Sequence, residues 1–430
     1  MALTGRAALA ALAGVLVTLA FRTAAALLAV DALIIAAIAA DVLLAAPVRR
    51  LEISRSGDNR ILLGQRGSVT LTVRNQGRRP LRGVVRDAWR PSAGAAPARA
   101  RVRVPAGSQA SLRTVLVPQR RGDALGGRVT VRSLGPLGLA GRQGHHNPPW
   151  AVRVLPPFLS RKHLPEKLAV LQQLDGQRRA LLRGQGSEFD SLREYVIGDD
   201  VRSIDWRSSA RQTEVLVRTW RPERDRRIII VLDTGRTSAG RVSGVPRLDA
   251  SMDAALLLAA LASRAGDRID LVAVDRRVRA RVVGISRYAI LSALTDAMAG
   301  LDSELIESDA GVLASAVLAI TRQRSLVVLM TDLNQAAIGE GLLPRIGVLT
   351  ARHHLLVAAV ADPALARMAA ARGDTAAVYQ AAAAERARSQ RAAVSALLRR
   401  RGVDVVDAPP ASLPAALADA YLSLKAAGRL

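Results

Sequence analysis

The 430 residues contain no cysteine, which excludes disulfides, thiolate metal sites and cysteine nucleophiles. Phenylalanine, tryptophan and tyrosine together make up 3%, too little for the stacking platforms that hold single-stranded nucleic acid. No G-x-x-x-x-G-K-[ST] run occurs, and Gly184, Gly186 and Gly235 form no phosphate loop, so the chain is not itself a P-loop ATPase. Lysine is nearly missing: of 62 basic residues, all but Lys162, Lys167 and Lys425 are arginine. What is abundant is alanine, arginine and glycine, the composition of a GC-rich genome, so codon bias explains part of the arginine excess. Against 36 acids the formal charge is +26, and half the residues are hydrophobic. The length leaves room for about three domains of ~150 residues.

Two apolar runs, 7–21 and 24–46, flank Arg22 and Thr23. The second is long enough to cross a bilayer with some tilt and the first is marginal, which predicts a two-helix transmembrane hairpin over residues 1–48. A cleaved signal peptide, with Ala24 to Ala26 as its small-residue site, is the competing reading. Asp31 and Asp41 lie off the centre of the second run and are expected to snorkel or pair near the interfaces. Arg49 and Arg50 follow it directly, and the positive-inside rule puts them in the cytoplasm. The expected location is the bacterial inner membrane, multi-pass, with the soluble bulk cytoplasmic.

Residues 49–156 change to short strands. Val69, Leu71 and Val73 alternate with Ser68, Thr70 and Thr72, the period of a half-buried strand. Similar runs near 81–87, 100–104, 110–117, 127–133 and 151–155 are separated by turn residues, so six or seven strands predict an all-β, immunoglobulin-like sandwich. This segment holds 21 arginines against Glu52, Asp58, Asp87 and Asp123, whereas residues 1–48 sum to zero charge. The basic surface therefore follows the membrane segment directly, and anionic inner-leaflet lipid is its expected partner. His145 and His146 read as a solvated loop with no metal site, and the same reading applies to His353 and His354, which precede an apolar strand.

Residues 157–225 hold the densest mixture of charges. Phe189, Leu192 and Val196 fall at helical spacing, which predicts a helix ended by Gly198. Asp199 or Asp200 then caps a short helix carrying Ile204 and Trp206, and a strand runs from Val215 to Trp220. Glu188, Arg193, Asp199, Asp200, Arg202, Asp205, Arg207 and Arg211 suit an ion-pair lattice or a partner-docking surface. Arginines beside each acid argue against a proton-transfer role.

Glu188-Phe189, Leu192 to Tyr195 (with Arg193), Gly198 to Asp200, Arg202, Ile204 to Trp206 and Ala210-Arg211 occur in an order and spacing similar to one pattern. The run from Gly186 to Arg227 resembles the signature of the bacterial family called domain of unknown function 58. The resemblance implies a membrane hairpin, a β-rich middle and an α/β part similar to the von Willebrand factor A domain. It also implies association with MoxR-type AAA+ ATPases.

Residues 226–430 read as α/β without that help. Arg227 to Asp233, Ile269 to Val274, Leu326 to Met330, Leu355 to Val360 and Val403 to Val406 are apolar strands. They alternate with helices over Leu248 to Ala265, Tyr288 to Leu301, Gly311 to Arg322, Ala376 to Arg401 and Leu413 to Ala426. That alternation predicts a doubly wound parallel sheet with functional groups at the strand carboxy-termini. The resemblance further implies a cation site, called MIDAS, built on D-x-S-x-S and a later aspartate. Asp233 and Thr237 fit the first and fifth positions and Asp332 the later acid; Gly235 lacks the third-position hydroxyl, Ser308 stands in for a separate hydroxyl ligand, and Arg236 adds an unfavourable charge. The expectation is a degenerate site that binds Mg²⁺ weakly or not at all.

Together these readings point to a membrane-anchored, non-enzymatic scaffold or adaptor. It would work with a MoxR-type AAA+ ATPase in assembling or activating complexes around an unidentified client. The alternatives are a metal-dependent hydrolase using Asp233 and Asp332, and nucleic-acid binding through the basic sandwich, which the scarcity of aromatics disfavours.

Overall fold

The computed structural model describes residues 1–181, 188–211, 214–221 and 226–430. It is a mixed α/β structure in two compact units, Met1–Pro157 and Phe158–Leu430.

The first unit opens with helices α1 (Gly5–Phe21) and α2 (Ala24–Leu44). They pack closely at Gly14, where a Cβ would stand 2.7 Å from Val30 Cγ1. Among the described residues, the helix starting at Ala24 is the one long and apolar enough to cross a membrane. Of the two fates expected for Asp41, snorkelling or pairing, it takes the second. It is fully buried, and its carboxylate accepts N–H bonds from Leu137 (2.8 Å), Leu139 (2.6 Å) and Ala140 (3.0 Å). The same loop receives the amino terminus: Ala2–Leu3 pairs antiparallel with Ala140 and Gly141, and the Thr4 N–H donates to Leu139 O. Arg142 and Arg79 donate to the Val42 and Leu43 carbonyls, capping the negative end of α2.

The β part contains two sheets. Leu51–Gly57, Gly67–Asn75 and Gln109–Leu116 form the smaller one. Leu81–Trp89, Arg99–Val104, Gly122–Leu134, Ala140–His146 and Ala151–Leu155 make most of the larger. Alternating residues turn Leu71 and Val73 of one sheet and Leu81, Val85, Val129 and Val131 of the other into one core. The six or seven strands expected become nine between 51 and 155. Of these, Arg60–Leu62 lies parallel to Ala151–Leu155, and its three residues are too few for periodicity to reveal. Inside, Arg55 donates to Asp87 at 2.6 Å. His145 and His146 end a strand instead of lying in a solvated loop, bonded to Thr130 Oγ1 and Val48 O.

The second unit is built on a six-stranded sheet. Its strands are β1 (Arg227–Asp233), β2 (Arg268–Val274), β3 (Val278–Val282), β4 (Leu326–Met330), β5 (His354–Val360) and β6 (Asp404–Ala408). The order is β3-β2-β1-β4-β5-β6, parallel except for β3. β1 is apolar on both faces because both are covered. Ile228, Ile230 and Leu232 join a core with α3 (Leu164–Leu181), α4 (Arg247–Arg264), α5 (Ile290–Ala299) and the last helix, Leu413–Ala426. Ile229 and Val231 join another with α6 (Ala310–Leu318), α7 (Leu343–Thr350) and α8 (Thr375–Arg400). Since β1 is flanked by β2 on one side and β4 on the other, the strand order reverses between β1 and β4. That crevice is where open α/β sheets place ligands.

Two expectations fail here. Residues 188–194 form a strand (Glu188–Glu194) paired antiparallel with Leu216–Arg221, and not a helix. Pairing with a partner strand that buries Leu216 and Val217 outweighs the helical spacing of Phe189, Leu192 and Val196. His353 is buried, with neither ring nitrogen hydrogen-bonded, and burial beside Arg352 depresses its pKa. Gly184 and Gly186 lie outside the described residues.

Candidate functional site

β1 ends in Asp233 and β4 is followed by Thr331 and Asp332, which puts both acids at the crevice mouth. Asp233 has four donors. The Gly235 N–H (2.8 Å) and Ser308 Oγ (2.5 Å) reach Oδ1; Thr237 Oγ1 (2.9 Å) and Thr331 Oγ1 (2.6 Å) reach Oδ2. All four are neutral, so this nearly buried carboxylate is held by hydroxyl groups and one amide. Gly235 is needed for that arrangement. A Cβ there would come within 2.2 Å of Ser308 Oγ and 2.9 Å of Ile306 O. The Ser308 hydroxyl thus takes the volume that a side chain on residue 235 would need.

Asp332 is held differently. Arg391 Nη1 donates to Oδ1 at 2.5 Å and Arg247 Nη1 to Oδ2 at 2.9 Å. Arg391 lies on α8 and also grips Asp407 of β6 through two 2.8 Å bonds and Val360 O at the end of β5. One guanidinium therefore joins the loop after β4 to the ends of β5 and β6. Burial alone would lower its pKa, but Asp407 and Asp332 raise it.

This donor set does not fit a divalent cation. Both oxygens of Asp332 face guanidinium groups, leaving one carboxylate among hydroxyls, whereas hard cations need several anionic or carbonyl oxygens. Among the described residues no cluster of three or more metal-binding side chains occurs. Arg236, expected to oppose the site, instead pairs with Glu307 at 2.7 Å on the rim.

Beside Asp233 opens a cavity of about 240 Å³. Thr237, Ser308 and Thr331 line its polar side, and Leu313, Leu329 and Ile338 its apolar side. A π-helical segment, Ala337–Leu342, forms one wall; such segments often mark functional sites.

The signature residues form a separate cluster. Arg193 Nη2 pairs with Asp199 at 2.5 Å, and with the Val196 N–H it holds the Asp199 carboxyl below the usual range. Asp200 accepts the Arg202 N–H, capping a one-turn 3₁₀ helix. Asp205 caps the next turn through the Arg207 and Ser208 N–H groups and pairs with Arg218 at 2.8 Å. The Ser208 amide and Arg218 depress its pKa. Gly198 adopts φ +109°, the left-handed turn that follows the strand. The Tyr195 N–H donates to Val215 O. Glu188 and Phe189 have described backbones, but their side chains lie outside the described residues. Arg202 and Arg211 have no ion-pair partner among the described residues. Val196, Ile197, Val201 and Trp206 stand exposed, Ile197 at 96% and Trp206 at 67%.

Sequence reasoning therefore located Asp233, Thr237, Ser308 and Asp332 but missed Thr331, Arg247 and Arg391. Thr331 was detectable as the hydroxyl next to Asp332. Arg247 and Arg391, 85 and 59 residues from it, gave no local signal. No hydrogen bond or ion pair among the described residues joins the signature cluster to Asp233 or Asp332.

Fold and site define a two-unit protein: sheets with an apolar amino-terminal helix, then an α/β unit with an aspartate–hydroxyl crevice. Residues 191–400 match the family model described as "Protein of unknown function DUF58". The uncharacterized proteins Rv1480 of Mycobacterium tuberculosis and Mb1516 of Mycobacterium bovis are 28% identical over 209 residues. That match covers 46% of this chain and 63% of those relatives. Among solved structures, the CARDB domain of the PF1109 protein from Pyrococcus furiosus is matched over 24% of this chain and 86% of that one, at 14% identity and TM-score 0.18. A beta-glucosidase from Listeria innocua is matched over 24% of this chain and 16% of that one, at 17% identity and TM-score 0.17.

Proposed function

We propose that this protein is a membrane-anchored, non-enzymatic adaptor, held in the cytoplasmic membrane by α2 with α1 beside it. Its α/β unit, read as von Willebrand factor A-like, docks other proteins, and a MoxR-type AAA+ ATPase supplies the hydrolysis. The observation that carries this reading is the exposure of four apolar side chains close together in the signature segment, Val196, Ile197, Val201 and Trp206. Several large apolar groups left exposed within one short segment suit an interaction site, and tryptophan is enriched at binding hot spots. The crevice supports a docking role as well. At about 240 Å³ it is smaller than ordinary small-molecule pockets and of a size for one partner side chain. Its acids are held by arginines and hydroxyls, which suits recognition better than proton transfer.

Crosslinked affinity capture of the full chain from native membranes, with and without ATP, tests the proposal. Wild type recovers a MoxR-type ATPase, and Ile197→Glu with Trp206→Ala lowers recovery by at least ~10-fold. Capture that never recovers an AAA+ ATPase overturns it.

A further inference from the structure

The outer face of the larger β-sheet is lined with arginine. Along Leu81–Trp89, exposed Arg82 and Arg86 alternate with buried Leu81 and Val85; along Arg99–Val104, exposed Arg99, Arg101 and Arg103 alternate with inward Ala100, Val102 and Val104. Pairing sets Arg82 opposite Arg103 and Arg86 opposite Arg99, and Val84 lies between Arg101 and Arg132. Like charges directly across a ladder destabilise it. None of these six guanidinium groups has a carboxylate partner among the described residues. The four acids of residues 49–155 are engaged elsewhere: Asp87 with Arg55, Asp123 with Arg153, Glu52 with Gln76 and Arg74, and Asp58 with the Ser68 amide. A face that keeps like charges opposed, with no internal counter-ion, is matched to an external anionic surface.

Two features narrow that surface. Arginine's planar fork fits phosphate oxygens in pairs, and neighbouring arginine positions lie about 5 Å apart across the strands and ~7 Å apart along Arg99–Val104, an array suited to a layer of phosphates. The same sheet also carries the apolar helix. Ala2–Leu3 pairs with its edge, and Asp41 is clasped by the loop beginning at Gly135. Gly83 pairs with Ser133, so the Arg82 rung is level with the residue before Gly135. The arginine rows thus begin at the level where α2 ends.

We propose that Arg82, Arg86, Arg99, Arg101, Arg103 and Arg132 form a docking surface for the anionic phosphate headgroups of the membrane that α2 enters; this rests on the membrane-anchored reading. Absence of cysteine allows a clean test. The full chain with Gln143→Cys, at the edge of this face beside Arg132, carries a single environment-sensitive label. It is reconstituted in vesicles of phosphatidylcholine alone or mixed with phosphatidylglycerol, containing a headgroup quencher.

Quenching is expected to be at least ~10-fold stronger with phosphatidylglycerol, since each basic residue near an anionic surface contributes ~1 kcal/mol. It falls as salt is added and disappears when Arg82, Arg86, Arg99 and Arg103 are changed to glutamine. The salt titration needs no variant arginine, so it decides the matter if the quadruple variant does not fold. Equal quenching in both vesicles overturns the proposal, as does duplex DNA that abolishes the quenching at equal phosphate, which would assign the face to nucleic acid. A chain that co-floats with both vesicles but ignores phosphatidylglycerol sinks the arginine surface alone. One that co-floats with neither sinks the membrane anchor and this inference with it.

Discussion

Ser308 occupies the space in which a side chain on residue 235 would begin: its hydroxyl lies 2.2 Å from the position of a Gly235 Cβ and 2.5 Å from Asp233 Oδ1. The two residues are therefore a matched pair, one giving up the volume that the other's hydroxyl fills. Gly235→Ser should lower stability by about 1–3 kcal/mol through overpacking without creating Mg²⁺ binding. Adding Ser308→Ala should recover part of the loss, because the closest clash is removed while Ile306 O remains. Denaturant melts of the single and double variants, with Mg²⁺ calorimetry, check both statements.

Asp332 is the carboxylate on which Arg247 and Arg391 converge. Asp332→Ala should cost about 3 kcal/mol, the order expected when one partner of a largely buried ion pair is removed. Arg391→Ala should cost a similar amount, and the double variant less than the sum, because the two losses share one contact. A double-mutant cycle by chemical denaturation reads the coupling.

The signature hairpin should loosen in acid. Asp199 and Asp205 have folded pKa values below their unfolded ones. The stability they contribute is therefore present above the ordinary carboxylate range and lost as pH falls through their lowered values. Protection of the Val196, Arg207 and Ser208 amides, which these carboxylates accept, should fall in that window by hydrogen exchange. Asp205→Asn should remove the pH dependence at Arg207 and Ser208 and leave it at Val196. Glu214 runs the other way. A hydrogen bond and like charge from Glu194 raise its pKa, so Glu214→Gln should increase protection of the hairpin at neutral pH.

Asp41 should prove structural despite its place in an apolar helix. Asp41→Asn removes the charge that three backbone amides address and should cost about 1.5–3 kcal/mol. Gly135→Ala should do comparable damage, because a Cβ there falls 2.4 Å from Asp41 Oδ1. Limited proteolysis of the 135–140 loop in otherwise intact protein distinguishes this from unchanged packing.

Legibility followed how local each signal is. The run from Arg227 to Asp233 announces a buried strand with an acid at its end, and the structure agrees to the residue. Five helices around the sheet (Arg247–Arg264, Ile290–Ala299, Ala310–Leu318, Thr375–Arg400 and Leu413–Ala426) were likewise visible, whereas Leu164–Leu181 and Leu343–Thr350 were not. Residues 188–194 misled because Phe189, Leu192 and Val196 keep a helical spacing, while the strand they form depends on a partner more than twenty residues away. β3 was missed because an edge strand rich in arginine lacks the apolar run of its neighbours. At the site, Asp332 was legible as an acid after a strand, but its neighbours were not: Arg247 and Arg391 are brought in by tertiary packing alone.

The clasp on the 135–141 loop also sets a timetable. Thr4 bonds to Leu139 and Asp41 to Ala140 across 135 and 99 residues of chain. At a synthesis rate of about 5–20 residues per second, the ribosome finishes α2 some 5–20 seconds before the loop that receives it. During that interval the amino-terminal strand has no sheet to join and the Asp41 carboxylate has no amides to meet. The β unit is consequently the late partner: it closes onto a helix pair already made, and its assembly is completed from the carboxyl side.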